Sequence, residues 1–314
     1  MTAVGFVVHG GRNSAVRTAD RLMRWLAGRE VAVRVLDDEA ALTSAGAGVP
    51  GLAAGTGAEL VPPEEFAAGL DLVVSVGGDG TFLRAAHHAV QVDRPVVGVN
   101  AGRLGFLTAV DPEQAEDVIG RALAGTAVVE ERRAVIAESI GGTEWTGPIW
   151  GLNEVMVEKA TRHRVLRVAV YLAGEYVTTF SGDGVIVATA TGSTAYSFSA
   201  RGPIVSPAVD CLVVTPIAAH MVFDRSFVIG TGEEVEIEVR PNENGVLSTD
   251  GQESLGVPVG ARVRIHASDR PAKVVRPADS ESFYRRVRER FSLPDGSAMD
   301  AMDISPDDLP PTAR

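Results

Sequence analysis

The chain has 314 residues, a formal net charge of -12 and one cysteine. This length predicts two domains with room for a sizeable core, and the acidic balance argues against binding of nucleic acid or anionic membrane through overall charge. Cys211 excludes a disulfide within the chain, and its apolar neighbours predict a small buried hydrophobic residue.

The first residues read as a strand, without a basic segment followed by a long apolar core. No stretch reaches the ~18 apolar residues of a membrane-spanning helix. The histidines show no spacing typical of metal ligands, so we expect no structural zinc site. These features predict a soluble, cytoplasmic protein.

Strand and helix patterns alternate through residues 1–127. Strands are expected at 4–8, 31–36, 72–76 and 96–99, and helices from Asn13 or Ser14 onward and at 63–69, 82–89 and 112–124. Such a series predicts a parallel sheet with right-handed crossovers, that is, a Rossmann-like α/β domain. Residues 44–58, rich in alanine and glycine, are expected to form a mobile surface loop.

From residue 128 the pattern changes to short, often alternating runs, which predicts a β-rich, sandwich-like domain over 128–277. Strands are expected at 135–140, 149–157, 165–172, 176–180, 184–188, 235–239 and 262–266. A helix capped by Ser280 or Ser282 is expected to return to the first domain within residues 278–293, and the tail 294–314 is expected to be disordered.

Residues 72–81, Leu-Val-Val-Ser-Val-Gly-Gly-Asp-Gly-Thr, join a buried strand to a glycine-rich turn that carries one carboxylate, Asp79. Glycines at three of four positions allow backbone N–H groups to approach a phosphate closely. We therefore predict a phosphate-donor loop formed by Gly77, Gly78, Gly80 and Thr81. A turn with a purely structural role would also favour glycine, and that alternative stays open on this segment alone.

Three later segments are rich in polar groups. Residues 99–108 form a second turn at the end of the next strand, where neighbouring strands of an open sheet share one crevice. Asn153 and Glu154 interrupt an apolar strand, as either a strand edge or a ligand site would. Residues 181–184 and 190–199 combine hydroxyls, small residues and Tyr196, a mixture that suits ribose and base recognition and also a structural turn.

The segments at 77–81, 100–108, 153–154 and 191–197 together resemble the bacterial NAD kinases, in order and in spacing, and the resemblance spans about residues 4 to 292. The first segment alone also resembles phosphofructokinases and diacylglycerol kinases. The resemblance implies transfer of a phosphoryl group from ATP or polyphosphate to the 2′-hydroxyl of the adenosine ribose of NAD, which gives NADP. It also implies a divalent metal, expected to be Mg²⁺, and a homodimer or homotetramer.

The resemblance assigns Asp79 as the general base that takes the proton of the ribose hydroxyl. The implied NAD-binding residues are Asp79, Gly80, Arg84, Phe106, Asn153, Glu154, Arg164, Asp183, Thr194, Ala195, Tyr196, Ser197, Phe198, Ser199, Ala218 and Gln252. His220 matches a family position without an assigned role, and no metal ligand is assigned.

Two positions depart from the family pattern, Ala190 where proline is frequent and Arg201 where glycine is frequent. The sequence leaves open the phosphoryl donor, the use of NADH, feedback by the product, and dimer against tetramer. Two other functions also remain open: a related kinase that acts on a sugar phosphate or a lipid alcohol, and a module that senses NAD without turnover.

Overall fold

The first part of the chain forms one seven-stranded sheet. The computed structural model describes residues 2–37, 52, 55–102, 105–220, 223–252 and 255–293. The strands of this sheet are β1 (Ala3–Val8), β2 (Ala32–Leu36), β3 (Glu59–Val61), β4 (Leu72–Gly77), β5 (Val96–Asn100), β6 (Val128–Arg132) and β19 (Ala272–Arg276). Their order is β3-β2-β1-β4-β5-β19-β6, with every pair parallel except β19 and β6.

Helices cover both faces of this sheet, as the alternation of strand and helix patterns predicts. They are α1 (Asn13–Ala27), α2 (Pro63–Phe66), α3 (Asp79–Gln91) and α4 (Ala115–Leu123). Successive strand residues point to opposite faces, so Val4 and Phe6 pack with α1 and α4, whereas Val7 packs with α2 and α3. The two faces therefore carry separate hydrophobic cores.

Helix α3 begins three residues earlier than the predicted 82–89. Gly78 is extended (φ -112°, ψ -170°), and the N–H of Phe82 donates to the Gly78 carbonyl at 3.0 Å, so Asp79, Gly80 and Thr81 form the first helical turn. The first N–H groups of a helix have no acceptor within the helix. The predicted phosphate loop is therefore the N-terminal turn of a 13-residue helix.

The second part of the chain forms two six-stranded antiparallel sheets, which agrees with the expectation of a β-rich region. The first, in the order β11-β10-β15-β18-β7-β8, contains β7 (Val135–Gly141), β8 (Ile149–Gly151), β10 (Leu166–Leu172), β11 (Glu175–Gly182), β15 (Val235–Val239) and β18 (Arg262–Ala267). The second, in the order β14-β13-β12-β9-β16-β17, contains β9 (Glu154–Lys159), β12 (Gly184–Thr189), β13 (Cys211–Ile217), β14 (Phe227–Gly230), β16 (Gly245–Thr249) and β17 (Leu255–Val257).

Both of these sheets contribute to one hydrophobic core, in which Val168 of β10 and Val187 of β12 are fully or almost fully buried. Cys211 is buried, as predicted from its neighbours. A 3-10 turn (Gly192–Thr194) and the short helix α5 (Tyr196–Ser199) connect β12 to the chain before β13.

The single strand predicted over 149–157 is wrong. The chain leaves the first of these sheets after Gly151 and enters the second at Glu154. The backbone N–H groups of residues 152–154 donate to the Asp250 carboxylate at 2.7, 2.7 and 3.2 Å. Because these donors bond to a side chain, the segment changes sheets here without leaving buried N–H groups unpaired.

The last described helix, α6 (Phe283–Arg290), begins at the predicted cap, since the Ser282 hydroxyl accepts from the N–H of Arg285. Its end lies against both parts of the chain: the Phe291 ring is 6.0 Å from Phe106 and 4.2 Å from Phe198.

The strands at both ends of the predicted second domain, β6 and β19, lie in the first sheet. The domain boundaries at 127/128 and 277/278 stay predictions. The predicted tail (294–314) and most of the predicted loop at 44–58 lie outside the described residues. In the described part of the chain, none of the helices has the length and apolar character that a membrane crossing requires.

Candidate active site

The Asp79 carboxylate is held by the turn that follows β5. Its Oδ2 atom accepts from the N–H of Phe106 at 2.9 Å. Its Oδ1 atom accepts from the N–H groups of Leu107 and Thr108 at 3.1 and 3.2 Å and lies 3.3 Å from the Thr108 hydroxyl. These donors stabilise the negative charge and fix the side chain. Oδ2, with one bond only, keeps a lone pair for a further donor.

Glycines shape the two sides of this carboxylate differently. A Cβ atom at Gly105 would lie 2.1 Å from Asp79 Oδ1, and one at Gly77 would lie 2.4 Å from Thr81 Oγ1. By contrast, a Cβ at Gly80 meets no atom within 4 Å, and one at Gly78 meets only a guanidinium nitrogen of Arg12 at 3.9 Å. Gly77 and Gly105 are therefore required by packing, whereas Gly78 and Gly80 border open space.

That open space is a cleft of about 880 Å³, called here the Asp79 cleft. It brings together four of the predicted NAD-site residues, namely Asp79, Gly80, Arg84 and Gln252. Sequence reasoning missed the other polar residues that line it, apart from Thr81 of the predicted phosphate loop: His9, Arg12, His87, His88, Gln91 and Asp250. Guanidinium groups and the N-terminus of α3 at one cleft provide the positive field that phosphate groups require.

Asp250 organises the wall opposite α3. Besides the three N–H groups of residues 152–154, its carboxylate lies 3.2 Å from His87 Nε2, and its side chain is fully buried. Asp250 adopts a left-handed backbone conformation (φ 51°) and is followed by Gly251 (φ 71°). An Asp-Gly pair signals a turn in the sequence, but the partners of the carboxylate lie almost a hundred residues away, out of reach of local patterns.

Asn153 and Glu154 belong to this wall, where Asn153 packs against Gly192 of the segment 190–199. The Asn153 carbonyl accepts from the N–H of Thr189 at 2.8 Å, and a Cβ at Gly192 would lie 2.0 Å from the same oxygen. The Glu154 side chain is 8% exposed, and its Oε2 atom has no hydrogen-bond partner among the described residues. Burial, followed by repulsion from Asp250, raises the pKa of Glu154 to about 8.

The residues predicted at 194–199 point in different directions. Tyr196 and Ser199 line a second cavity of about 480 Å³, the Tyr196 pocket, together with Arg201, Ala218 and His220. Ser197 is buried and lies 3.2 Å from the hydroxyl of Thr215, and Phe198 packs on the Phe291 ring. Burial raises the pKa of the Tyr196 phenol, with smaller contributions from the carboxylates of Glu158 and Asp183.

The remaining predicted NAD-site residues lie farther apart. Phe106 and Thr194 line a third cavity, of about 170 Å³, and Ala195 joins the 3-10 turn to α5. Asp183 forms an ion pair with Lys159, and the Arg164 side chain is 69% exposed, 4.0 Å from Glu243. The roles of all these residues in NAD binding stay predictions. Within the described ranges, no group of three His, Cys, Asp or Glu side chains is arranged to hold a metal ion.

Two family models match the chain and together cover most of it. The ATP-NAD kinase N-terminal domain matches residues 4–127, and the ATP-NAD kinase C-terminal domain matches residues 152–277. The first match contains Asp79, and the second contains Asn153, Tyr196 and Asp250.

Among curated proteins, the NAD kinase of Nocardia farcinica is 36% identical over 92% of this chain and 90% of its own length. The NAD kinase of Mycobacterium leprae is 39% identical over 92% of this chain and 94% of its own length.

Two solved structures share the fold. The structure of yeast NADH kinase complexed with NADH matches with a TM-score of 0.79 at 23% identity, over 93% of this chain and 88% of that one. That of an NAD kinase from Archaeoglobus fulgidus in complex with ATP matches with a TM-score of 0.67 at 27% identity, over 93% and 97%. Because both family models match and relatives above 35% identity extend over nearly its whole length, the chain belongs to the NAD kinase family and is an NAD-phosphorylating enzyme.

Proposed function

We propose that this enzyme transfers the γ-phosphoryl group of ATP to the 2′-hydroxyl of the adenosine ribose of NAD, with Asp79 as the general base. The observation that carries the proposal is the setting of Asp79. Its carboxylate is fixed by the N–H groups of residues 106–108 at the edge of a cleft that also contains Arg12 and Arg84. A positioned carboxylate beside cations is the arrangement that phosphoryl transfer to an alcohol requires.

The reaction follows from the free lone pair on Oδ2. The ribose 2′-hydroxyl donates its hydrogen bond to this atom, and its proton moves to the carboxylate as the ribose oxygen bonds to the γ-phosphorus. The bond between that phosphorus and the bridging oxygen breaks, and ADP leaves. The guanidinium groups of Arg12 and Arg84 and the first N–H groups of α3 offset the charge on the transferred group, and the fixed geometry supplies much of the rate.

The donor set of the Asp79 cleft fits a divalent ion carried mainly by the phosphates of the substrate. Mg²⁺ commonly binds proteins through one or two carboxylates plus substrate phosphates and waters. The Asp250 carboxylate is buried and already bonded to three N–H groups. The remaining lone pair of Asp79 Oδ2 accepts the ribose hydroxyl, so the substrate phosphates and water would supply most of the ligands. The ion would help to neutralise the phosphate charge, and we propose Mg²⁺ for this role.

We further propose that the dinucleotide extends from Asp79 past Asn153 toward the Tyr196 pocket. The hydroxyls and small residues around Tyr196 suit a ribose and a base, and Tyr196 itself is 42% exposed at the rim of the pocket. A second copy of the chain could complete this open rim, which supports the predicted homodimer or homotetramer. The family description, ATP-NAD kinase, supports both substrates.

The direct test is the Asp79→Asn variant in an assay of NADP formation from NAD and ATP. We expect turnover to fall by roughly two to four orders of magnitude, as is typical when a general base is lost, while NAD binding measured by calorimetry is largely kept. Unchanged turnover would remove Asp79 from the mechanism.

A matched control separates the base from the anchor, since Asp79 also holds the turn at 106–108. Thr108→Val keeps the carboxylate and removes only the hydroxyl at 3.3 Å. We expect this variant to lose about tenfold or less in turnover. A hydrogen bond to a charged group is worth about 1.5 kcal/mol at the weak end of its range, and at 3.3 Å this is the longest of the four bonds to the carboxylate. A loss as large as that of Asp79→Asn would show that anchoring of the turn, and not proton transfer, accounts for both results.

The same assay, run with polyphosphate in place of ATP and with NADH in place of NAD, resolves the donor and the acceptor. Phosphorylation of a sugar phosphate or a lipid alcohol without NADP formation would contradict the proposed acceptor. Sedimentation analysis of the purified chain tests the dimer or tetramer.

A further inference from the structure

Three buried arginines converge behind the turn that holds Asp79. Arg132 on β6, Arg276 on β19 and Arg286 on α6 are each at most 8% exposed. Glu130 pairs with two of them, at 3.0 Å from Arg132 and 2.9 Å from Arg276. Arg286 donates instead to the backbone carbonyls of Phe106 and Glu281, at 3.1 and 3.0 Å.

The positive charge of this cluster exceeds the negative charge paired with it. Of the other nearby carboxylates, that of Glu281 forms its own ion pair with Arg285 at 3.0 Å, and that of Asp79, which also acts on Arg286, is held by the N–H groups of residues 106–108. Burial, followed by repulsion from Arg276, lowers the pKa of Arg132 to about 10 and also lowers the pKa of Arg286. Burial raises the pKa of Glu130, but attraction by Arg132 and Arg276 outweighs it, so that pKa is lowered. In each case the neighbouring arginines shift the pKa in the direction expected of an excess of buried cations.

The cluster also has N–H groups without acceptors. Nη2 of Arg276 is buried and has no hydrogen-bond partner among the described residues. Nε of Arg132 lies 3.0 Å from Glu130 but is not aligned to donate to it. A buried donor of a charged group is costly to leave without an acceptor, so these two groups call for an acceptor that the described protein atoms do not supply.

The three arginines line a cavity of about 170 Å³, the arginine pocket. Its other polar lining residues are Glu130, Thr191, Thr194, Ser280 and Glu281, and its aromatic lining residues are Phe106 and Phe283. We propose that the arginine pocket binds a small free oxyanion of the size and charge of inorganic phosphate. Guanidinium groups match the oxygens of such an anion in charge and in spacing. A whole nucleotide is excluded by size, since pockets for ligands of that kind are ~300 Å³ or larger.

The location of the pocket gives the anion a role. Nη1 of Arg276 donates to the Leu107 carbonyl at 3.2 Å, and Nη1 of Arg286 donates to the Phe106 carbonyl. The N–H groups of these same two residues hold the Asp79 carboxylate. An anion that fixes the arginines therefore also stabilises the turn that holds Asp79.

The test uses the full chain and inorganic phosphate. In crystals grown with phosphate, we expect density for the anion within hydrogen-bond distance of Arg276 Nη2. By calorimetry, Arg276→Gln should weaken phosphate binding at least tenfold, because it removes a charge and the unpaired donor. Glu130→Gln should tighten binding several-fold, because it removes the competing negative charge. Arg133 follows Arg132 in the sequence but is only half-buried and is paired with Asp210, so Arg133→Gln should leave the affinity unchanged.

Phosphate can also enter the Asp79 cleft, which Arg12 lines. The titrations are therefore repeated with Arg12→Gln, a variant in which phosphate should still bind in the arginine pocket. Phosphate density confined to the Asp79 cleft would overturn the proposal. So would equal affinities for Arg276→Gln and Arg133→Gln, weaker binding by Glu130→Gln, or density showing a phosphate of bound NAD in the arginine pocket. If Arg276→Gln does not fold, the crystals of the unaltered chain and the sign of the Glu130→Gln effect still decide.

Discussion

The Glu154→Gln substitution tests how the buried carboxyl at the cleft wall makes stability depend on pH. Glu154 has an ordinary pKa of 4.5, raised to about 8 in the folded chain by burial and by Asp250. Between these values the folded state holds a proton that the unfolded state has lost. The free energy of unfolding must therefore fall as the pH rises from about 4.5 to about 8. Glutamine is similar in size and does not titrate.

The structure sets the magnitude. Each tenfold change in a protonation equilibrium is worth about 1.4 kcal/mol, so a pKa of about 8 corresponds to about 5 kcal/mol over the whole pH window. Part of this pH window lies below pH 5, outside the measured range, and Glu154 is still 8% exposed to solvent. We therefore expect the unaltered chain to lose about 3–4 kcal/mol more stability than Glu154→Gln between pH 5 and pH 8.5.

The measurement is urea unfolding of both proteins at several pH values from 5 to 8.5. The other titrating groups are common to both proteins and largely cancel in the difference between them. Glu131→Gln, at an exposed position on β6, is the control and should follow the unaltered chain at every pH. Parallel curves for Glu154→Gln and the unaltered chain would refute the reasoning, because Glu154 would then titrate at the same pH in the folded and unfolded states.

Three further substitutions probe the Asp79 cleft and the Tyr196 pocket. Gly80→Ala adds a methyl group that meets no atom within 4 Å, so we expect the stability in urea unfolding to be kept within about 1 kcal/mol and turnover to fall at least tenfold because the methyl group blocks the substrate. The control Gly256→Ala, on β17 and equally open, should change neither stability nor turnover. Full turnover of Gly80→Ala would contradict a ligand at this position. Asp250→Asn replaces one carboxylate oxygen by an NH₂ group, which cannot accept from the backbone N–H groups of residues 152–154, and should lower the free energy of unfolding in urea by about 2–4 kcal/mol. A loss under about 1 kcal/mol would be evidence against the anchoring role of Asp250. Tyr196→Ala should weaken NAD binding more than ATP binding in calorimetry, whereas equal losses would indicate a role in folding.

Local patterns in the sequence were sufficient for the parallel sheet around β4 and for the Asp79 segment. The apolar run at 72–77 and the glycines that follow it have a direct physical reading. The start of α3 was predicted late, because glycine weakens a helix by propensity even where it occupies the first turn. Here the close packing of Gly77 and the open space beside Gly80 outweighed that preference.

The rest of the site depends on contacts between distant parts of the chain. Asp250 bonds to residues 152–154, and the arginines of the arginine pocket come from three elements spread between residues 132 and 286. Each of these residues looks like an ordinary surface polar group in its own segment, and only the fold makes it buried. The break between β8 and β9 was missed for the same reason, since its cause is the carboxylate of Asp250.

The position of β19 has a consequence for the synthesis of this chain. β5 ends at residue 100, and β19, which pairs with it as the sixth of the seven strands of the first sheet, begins at residue 272. At ribosomal rates of ~5–20 residues per second, the β19-facing edge of β5 waits roughly 10–35 s for its partner. An unpaired strand edge can pair with another chain. We expect nascent chains that stop before residue 272 to aggregate, even when they contain every residue of the Asp79 turn.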